Sequence, residues 1–198
     1  MKRRIFLACV LFVGLSACGT SPPVHFYALS EPAPSPIAKT GDTVVIIGPL
    51  DVAQYLKRPN IIVRDADHRL KVAQFDQWAE APQLAIVPWL AREVDRQLAQ
   101  AVVMAFPPLG HADAPYHVRG TIAEWDTDAS GAAVLVVQWE CASDNGPALV
   151  PVHTSRYTAQ AAKPDDYSDI VRALNQTLTE FAADIAGALS SALPPPRS

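Results

Sequence analysis

The sequence predicts an α+β domain in which an antiparallel or mixed sheet carries two amphipathic helices packed on one face. Three observations favour this class. Short, branched apolar segments of strand length occur in two groups, one before and one after a helical segment. Two longer segments repeat apolar residues at spacings of three and four, which is typical of amphipathic helices. The order is strands, helix, three strands, helix, with no internal repeat.

The first 17 residues have the layout of an export signal. An uninterrupted apolar run covers residues 5–15, and three basic residues come before it, namely Lys2, Arg3 and Arg4. Such a run is too short to cross a bilayer, which needs about 20 apolar residues. We therefore expect residues 1–17 to be a signal peptide that is removed on export.

The end of this signal, Leu15-Ser16-Ala17-Cys18, resembles a bacterial lipobox. The resemblance implies cleavage before Cys18, a diacylglycerol on its sulfur and an acyl chain such as palmitate on the freed amine. An ordinary secretory signal with an incidental cysteine is the alternative. Gly19 rather than Asp follows the cysteine. By resemblance to enterobacterial sorting, this residue favours the outer membrane, with the domain facing the periplasm.

A lipidated tether of residues 18–23 is expected to lead directly into a single domain at residues 24–193. Val24, Phe26 and Tyr27 predict a first strand. Prolines then mark a loop that runs to about residue 42.

Three strands are predicted before the first helix. Residues 43–50 form a continuous branched apolar run that fits a strand covered on both faces, and Gly48 and Pro49 are expected to end it. Residues 60–64 and 68–72 form two short strands around a hairpin turn at Asp65-Ala66-Asp67.

The first helix is predicted from an apolar stripe with helical spacing, made of Leu84, Val87, Leu90, Val94 and Leu98. Pro88 interrupts this pattern. Either it kinks the helix or the regular part starts near it, since proline is tolerated only in the first turn.

Three strands of a meander follow at residues 116–125, 132–141 and 149–159, with turns at residues 128–131 and 144–147. A second apolar stripe predicts a long last helix, made of Tyr167, Ile170, Val171, Leu174, Leu178, Phe181, Ile185 and Leu189. Asp165 or Ser168 is available as its N-cap. Three prolines stop it, and residues 194–198 are expected to be disordered.

Charge limits the choice of partner. Without the signal, 181 of the 198 residues remain, and 13 basic residues stand against 20 acidic ones, a net charge of −7 with neutral histidines. A net-negative chain without a basic run disfavours nucleic acid as a partner. It also disfavours electrostatic binding to anionic headgroups, so membrane attachment is expected to come from the lipid.

The sequence offers little for catalysis, and we expect neither an enzyme nor a cofactor or metal. It has no HExxH motif, CxxC pair, P-loop or GxSxG elbow. Cys141 lies in an apolar alternating run, which predicts a buried structural thiol rather than a nucleophile. His117 and His153 lie on strands predicted to be neighbours and could meet on one face. Residues 65–68 could be drawn as a metal loop, but adjacent carboxylates in a turn usually shape the turn.

Residues 54–82 predict a partner interface instead. They carry four side chains of the types that concentrate binding energy at protein interfaces, namely Tyr55, Arg58, Arg64 and Trp78. The alternative is that Tyr55 and Trp78 close the edge of the core while Arg64 pairs with an acid.

The same segment resembles a known family. Tyr55-Leu56-x-Arg58-Pro59-x-Ile61-x-Val63-Arg64, followed by Trp78-Ala79-Glu80, resembles the signature of the PqiC family of ABC-type transport auxiliary lipoproteins, also called YmbA-like. Phe26-Tyr27-x-Leu29 and Asp169-Ile170-Val171-x-Ala173-Leu174 resemble the family's first strand and closing helix. The position of Pro88 and the sequence Ala81-Pro82-Gln83 depart from the expected pattern.

The resemblance implies a non-enzymatic role in intermembrane lipid transport and envelope integrity. It implies an MCE-domain periplasmic protein and inner-membrane transporter components as partners, with this chain docking the assembly at the outer membrane. A periplasmic lipid carrier is the alternative, and a hydrolase using Cys141 or His117 ranks last. The sequence leaves open whether the chain forms a homo-oligomer.

Overall fold

Among the residues that the structure describes, the strand Tyr116–Asp128 lies at the centre of one eight-stranded sheet. The computed structural model describes residues 22–31, 38–41, 43–67, 69–108, 116–143 and 146–193. The predicted signal peptide, Cys18, the loop prolines before residue 38, His68, residues 144 and 145 of a predicted turn and the tail of residues 194–198 lie outside these ranges. The elements in chain order are β1 (His25–Tyr27), β2 (Thr43–Val52), a 3-10 helix (Gln54–Leu56), β3 (Asn60–Arg64), β4 (Leu70–Trp78), α1 (Pro82–Gln97), β5 (Ala101–Ala105), β6 (Tyr116–Asp128), β7 (Ala132–Ser143), β8 (Val150–Gln160) and α2 (Tyr167–Ala192).

The two edges of β6 are used differently. One edge pairs over nearly its whole length with β7, which in turn pairs with β8, and both pairings are antiparallel, so the predicted meander is confirmed. The other edge is shared, because β2 runs parallel to its first half and β3 runs parallel to its last two residues. Beyond these two strands, β5 joins β2, β4 joins β3, and β1 joins β4. The sheet is therefore mixed.

Both helices pack on the same face of the sheet and on each other. Strand β7 alternates buried and half-exposed residues, and its buried side faces the core, with Ala133, Leu135, Val137, Trp139 and Cys141. The long helix α2 supplies the matching apolar stripe, in which Ile170, Leu174, Leu178, Phe181, Ile185 and Leu189 are buried. The predicted α+β class, with two helices on one face, is confirmed.

Helix α1 differs from the prediction in two ways. It begins at Pro82, so Pro88 lies inside the helix and the regular part does not start near it. Leu84 is exposed and does not belong to the buried stripe, where Ile86 and Trp89 are found instead. The reason is rotational phase: at about 100° per residue, Leu84 lies far around the helix from Ile86.

The N-terminus of α2 is capped by Asp166, not by Asp165 or Ser168 as expected. Its Oδ1 accepts the backbone N–H of Ser168 at 2.8 Å. Because the first helical residue is Tyr167, Ser168 is the second residue of the helix, where a free N–H needs this acceptor.

Two strand predictions need correction, and one strand was missed. Strand β2 does not end at Gly48 and Pro49 but continues to Val52. Its pairing with β6 shifts register between Ile47 and Leu50, so the strand continues although Pro49 has no N–H to donate. Gly48 adopts a φ of +113° at this shift. Strand β4 extends from Leu70 to Trp78, well beyond residue 72. Strand β5 was not predicted at all.

Other local predictions hold. Val45, Ile46 and Ile47 are buried in succession, which confirms that β2 is covered on both faces. The turn at residues 65–67 joins the antiparallel pair β3 and β4. The turn at residues 128–131 is built by Asp128, whose Oδ1 accepts the backbone N–H groups of Ser130 at 2.8 Å and Ala132 at 3.0 Å.

Candidate functional site

Tyr55 occupies the place where two strands leave a gap along one edge of β6. The backbone N–H of Ala53 still bonds to the carbonyl of Ile122 at 2.9 Å, and the chain then turns away into the 3-10 helix. The backbone N–H of Trp125 meets the hydroxyl oxygen of Tyr55 at 3.4 Å. A side chain thus takes the role that a strand carbonyl has elsewhere along this edge.

Asp126 is the centre of the polar contacts in this region, and its side chain is only 2% exposed. The hydroxyl of Tyr55 donates to Oδ2 at 2.7 Å, while Arg64 donates from Nε to Oδ1 at 3.2 Å and from Nη2 to Oδ2 at 2.5 Å. A carboxylate removed from water is tolerated when it is paired and hydrogen-bonded in this way. We call Tyr55, Arg64 and Asp126 the aspartate cluster.

Burial and the carboxylate shift the titration of its neighbours. Burial, and then the hydrogen bond to Asp126, raise the pKa of the Tyr55 hydroxyl above its usual value. The hydrogen bond to Asp126 raises the pKa of the Arg64 guanidinium. Tyr55 therefore stays neutral and Arg64 charged at any physiological pH. The arginine also lies over the tyrosine ring, 5.8 Å from its centroid.

Further charges extend the cluster across the face of the sheet opposite the helices. Glu124 lies 3.6 Å from Arg64 Nε and 3.5 Å from Arg156 Nη1 of β8. Because neighbouring residues of a strand point to opposite faces, Asp126 lies on the other side of the sheet from Trp125. This ladder of alternating charge is partly exposed, and each of its outer pairs contributes little to stability.

Trp78 lies on the helix-covered face and is buried. Its ring stacks on that of Trp125 with centroids 4.9 Å apart and an interplanar angle of 17°. The indole N–H of Trp125 in turn donates to the carbonyl of Leu174 in α2 at 3.3 Å. This geometry matches the alternative in which Tyr55 and Trp78 close the edge of the core while Arg64 pairs with an acid.

Arg58 differs from the other three candidates because it is exposed. The following residue, Pro59, is fixed to the sheet through its carbonyl, which accepts the backbone N–H of Trp78 at 2.6 Å. Among the described residues, no hydrogen bond or ion pair involves Arg58. Of the four candidate interface residues, Arg58 is therefore the one whose guanidinium is available to a partner, whereas Tyr55, Arg64 and Trp78 make contacts that stabilise the fold.

A small cavity opens beside Trp78, between the ends of β1 and β4 and the start of α1. It holds about 130 Å³ and is lined mainly by aromatic and charged side chains, including Tyr27, Trp78, Trp89, Arg92 and Trp125. The indole N–H of Trp89 donates to the carbonyl of Ser30 at 2.5 Å, which ties the chain after β1 to the helix.

The sequence analysis missed Trp89, Trp125 and Asp126 as members of this region. The adjacent Trp125-Asp126 pair, an aromatic residue that ends a predicted strand and the acid that follows it, was the available signal.

The residues considered for catalysis do not converge. Cys141 is fully buried in the core, as predicted, and burial raises the pKa of its thiol to about 11, so it is protonated at neutral pH. His117 and His153 lie on β6 and β8, which are separated by β7, so the prediction that they occupy neighbouring strands was wrong. Asp65 accepts the backbone N–H of Ala66 at 2.7 Å and pairs with Arg69, as a turn-forming residue does.

Within the described ranges, no group of three or more histidine, cysteine, aspartate or glutamate side chains is arranged to hold a metal ion. No helix in the part of the chain that the structure describes is both long and apolar enough to span a membrane.

Comparison with known proteins connects this fold to a family. A family model described as the ABC-type transport auxiliary lipoprotein component matches residues 27–186. A search of curated proteins found no match. An uncharacterized protein of known crystal structure shares the fold with a TM-score of 0.72 and 20% identity, over 85% of this chain and 100% of the other. Protein XCC0632 from Xanthomonas campestris gives a TM-score of 0.69 and 16% identity, over 85% and 96%.

Proposed function

Because the chain belongs to the family of ABC-type transport auxiliary lipoprotein components, we propose that it is a non-enzymatic, lipid-anchored subunit of an MCE-type intermembrane lipid transport system. It docks the periplasmic assembly at the outer membrane and supports envelope integrity. The observation that carries this proposal is the family match, which extends over residues 27–186 and so over most of the folded domain.

The lipid anchor is placed at Cys18. The lipobox at residues 15–18 supports this position, as does the membership of a lipoprotein family. Two acyl chains hold a protein stably on a bilayer where one chain is marginal. The glycine after the cysteine supports the outer membrane as the destination.

Docking is assigned to the segment that contains Tyr55, Arg58, Arg64 and Trp78. The structure supports a division of labour in which the aspartate cluster and the tryptophan pair keep the segment rigid while Arg58 contacts the partner. A rigid, pre-formed surface loses little conformational entropy on binding. Arginine is also among the residues that contribute most at interfaces.

The alternative of a lipid carrier finds less support. A carrier has to enclose acyl chains, and pockets that enclose even drug-sized ligands hold roughly 300 Å³ or more. The aromatic-lined cavity beside Trp78 holds about 130 Å³, and the core between the sheet and both helices is continuous. Two larger depressions of about 250 and 330 Å³ are open to solvent and are lined in part by charged side chains, including Lys71 in the first and Arg119 in the second, which do not suit acyl chains.

The test uses the exported, tagged full-length chain in a Gram-negative host. We expect it to fractionate with the outer membrane and to retain the MCE-domain protein of the same genome, and we expect its deletion to sensitise cells to detergent. A chain in which a cleavable secretory signal replaces residues 1–18 is expected to be released into the periplasm. An unacylated Cys18 in mass spectra would overturn the anchor, and failure of the anchored protein to retain the MCE-domain protein would overturn the docking role.

A further inference from the structure

Strand β1 exposes apolar side chains on one of its two sides. Val24, just before the strand, is 42% exposed, and Phe26 is 66% exposed. The intervening and following residues point the other way, since His25 Nδ1 and the hydroxyl of Tyr27 both meet Oδ1 of Asp76, at 3.1 Å and 3.0 Å. Positions 24 and 26 of an extended chain share a side. The two contacts with Asp76 therefore orient β1 so that the side chains of Val24 and Phe26 point toward solvent.

The apolar side of β1 lies close in sequence to Cys18, the proposed lipid anchor. Phe26 follows Cys18 by eight residues, and an extended chain covers at most about 3.6 Å per residue, so roughly 29 Å separates the two at most. Pro22 and Pro23 lie within this span. If Cys18 carries acyl chains, its backbone is held at the headgroup level, and Phe26 cannot leave the neighbourhood of the bilayer.

We propose that Val24 and Phe26 form a membrane-contact surface that inserts into the headgroup–acyl boundary of a glycerophospholipid bilayer. The inference rests on the lipidation proposed above and adds to it a second point of attachment. With the anchor at one end and β1 at the other, the domain sits on the membrane in one orientation, with the β1–β4 edge of the sheet facing the lipid.

A short tether makes such a weak contact effective. Linking two binding elements by a short flexible chain gives an effective concentration in the millimolar range, so a pair of side chains that would not bind membranes alone contacts them once the anchor is inserted. The contact is apolar in character, because the exported chain has a net charge of −7 and gains nothing from anionic headgroups.

Other exposed apolar residues do not meet these conditions. Val152 on β8 is 58% exposed, and Leu84 on α1 is similarly exposed. Isolated exposed apolar residues are ordinary on protein surfaces. Val152 is more than a hundred residues from the anchor in sequence and lies on β8, which pairs only with β7 among the described strands, so it provides a matched control.

The experiment uses the full-length lipidated protein with a single reactive thiol. Lipid blocks the sulfur of Cys18 and the fold buries Cys141 completely, so Phe26→Cys and Val152→Cys each accept an environment-sensitive maleimide dye at one position. Both labelled proteins are reconstituted into vesicles of phosphatidylethanolamine and phosphatidylglycerol, with or without nitroxide-labelled lipids. Near-ultraviolet circular dichroism confirms that each variant is folded.

We expect dye at position 26 to shift to the blue and to be quenched by the nitroxide lipids, while dye at position 152 stays in water. The same Phe26→Cys label on a chain of residues 19–198, which lacks Cys18 and also Cys9 of the signal, should show no shift. Equal, unshifted emission at both positions of proteins that float with the vesicles would overturn the membrane-contact surface and leave the lipid anchor standing. Proteins that do not float and carry no acyl group would overturn both.

Discussion

The hydroxyl of Tyr55 lies 2.7 Å from Oδ2 of Asp126 and holds a buried carboxylate at the point where β2 and β3 share one edge of β6. Arg64 closes the other side of the same carboxylate. The segment that looked like an interface in the sequence is therefore attached to the centre of the sheet.

Replacing Asp126 tests this relationship. Asp126→Asn keeps the shape but removes the charge that Arg64 and Tyr55 share, so we expect a loss of about 1.5–3 kcal/mol in the free energy of unfolding, the range for hydrogen bonds to charged groups. Tyr55→Phe removes one donor to the same carboxylate but leaves Arg64 paired with it, so it should cost about 1.5 kcal/mol, the lower end of that range. Urea unfolding of both variants measures the difference. An Asp126→Asn protein as stable as the wild type would contradict the role of the aspartate cluster.

Trp78 is expected to act through the core. Trp78→Ala should lower the free energy of unfolding by about 3–5 kcal/mol, because it empties the space against Trp125. Leu84→Ala, at an exposed apolar position on the adjacent helix, should stay within about 0.5 kcal/mol. Thermal and urea unfolding compare the two. If both substitutions cost the same small amount, Trp78 is not a core residue.

Arg58 is expected to act at the partner surface. Arg58→Glu should leave the free energy of unfolding unchanged but raise the Kd for the MCE-domain protein about tenfold or more, as for other central arginines at interfaces. Arg69→Glu is the control, since Arg69 is also exposed but lies between β3 and β4 at the far side of the turn, where it pairs with Asp65. Surface plasmon resonance of the folded proteins measures both. Equal Kd values for the two variants would remove Arg58 from the interface.

Cys141 predicts a loss of stability at high pH. Burial raises the pKa of its thiol to about 11, above the usual value of about 8.5. The protonated, neutral form is the one that fits the core, so its contribution is complete below about pH 8.5 and declines as the pH rises toward 11, by about 1.4 kcal/mol per unit.

Cys141→Ala isolates this effect. Burial also raises the pKa values of Tyr55 and Tyr157, so the contribution of both tyrosines to stability declines from about pH 10 upward, equally in wild type and variant. The difference between wild type and variant, followed by urea unfolding from pH 8 to 11, should therefore shrink with pH. A constant difference would show that Cys141 does not titrate in this way.

Pro88 offers a stabilising change. It lies in the interior of α1, where proline lacks the N–H that the carbonyl four residues earlier would accept. Pro88→Ala should raise the free energy of unfolding by about 1–2 kcal/mol, after subtraction of the entropy that proline removes from the unfolded chain. Pro82→Ala, at the first helical position, should not raise stability, because proline is tolerated there and the ring of Pro82 is buried. Equal effects at the two positions would contradict this account of the helix.

Periodic local patterns were readable without a structure. The apolar stripe of α2 and the alternation along β7 each repeat over many residues, so many positions independently indicate the same buried side of the element. Short or interrupted patterns were not readable. Strand β5 has five residues, and Gly48-Pro49 gives the signal of a strand end although pairing with β6 carries the strand past it.

The candidate site was predicted as a set of residues but not as an arrangement. Residue type alone does not show that Trp78 is buried and Arg58 is exposed, or that Tyr55 and Arg64 bind a buried carboxylate. Their partners, Trp125 and Asp126, come from β6, far along the chain.

By itself, the sequence determined the class of the fold, the long elements and the expected lipid attachment, because periodicity and a contiguous motif depend only on neighbouring residues. Only the tertiary structure decided which aromatic residues are buried, which arginine is available and which side of β1 faces outward. Burial and pairing depend on what distant segments place against a side chain, and that information arises only when the sheet is assembled.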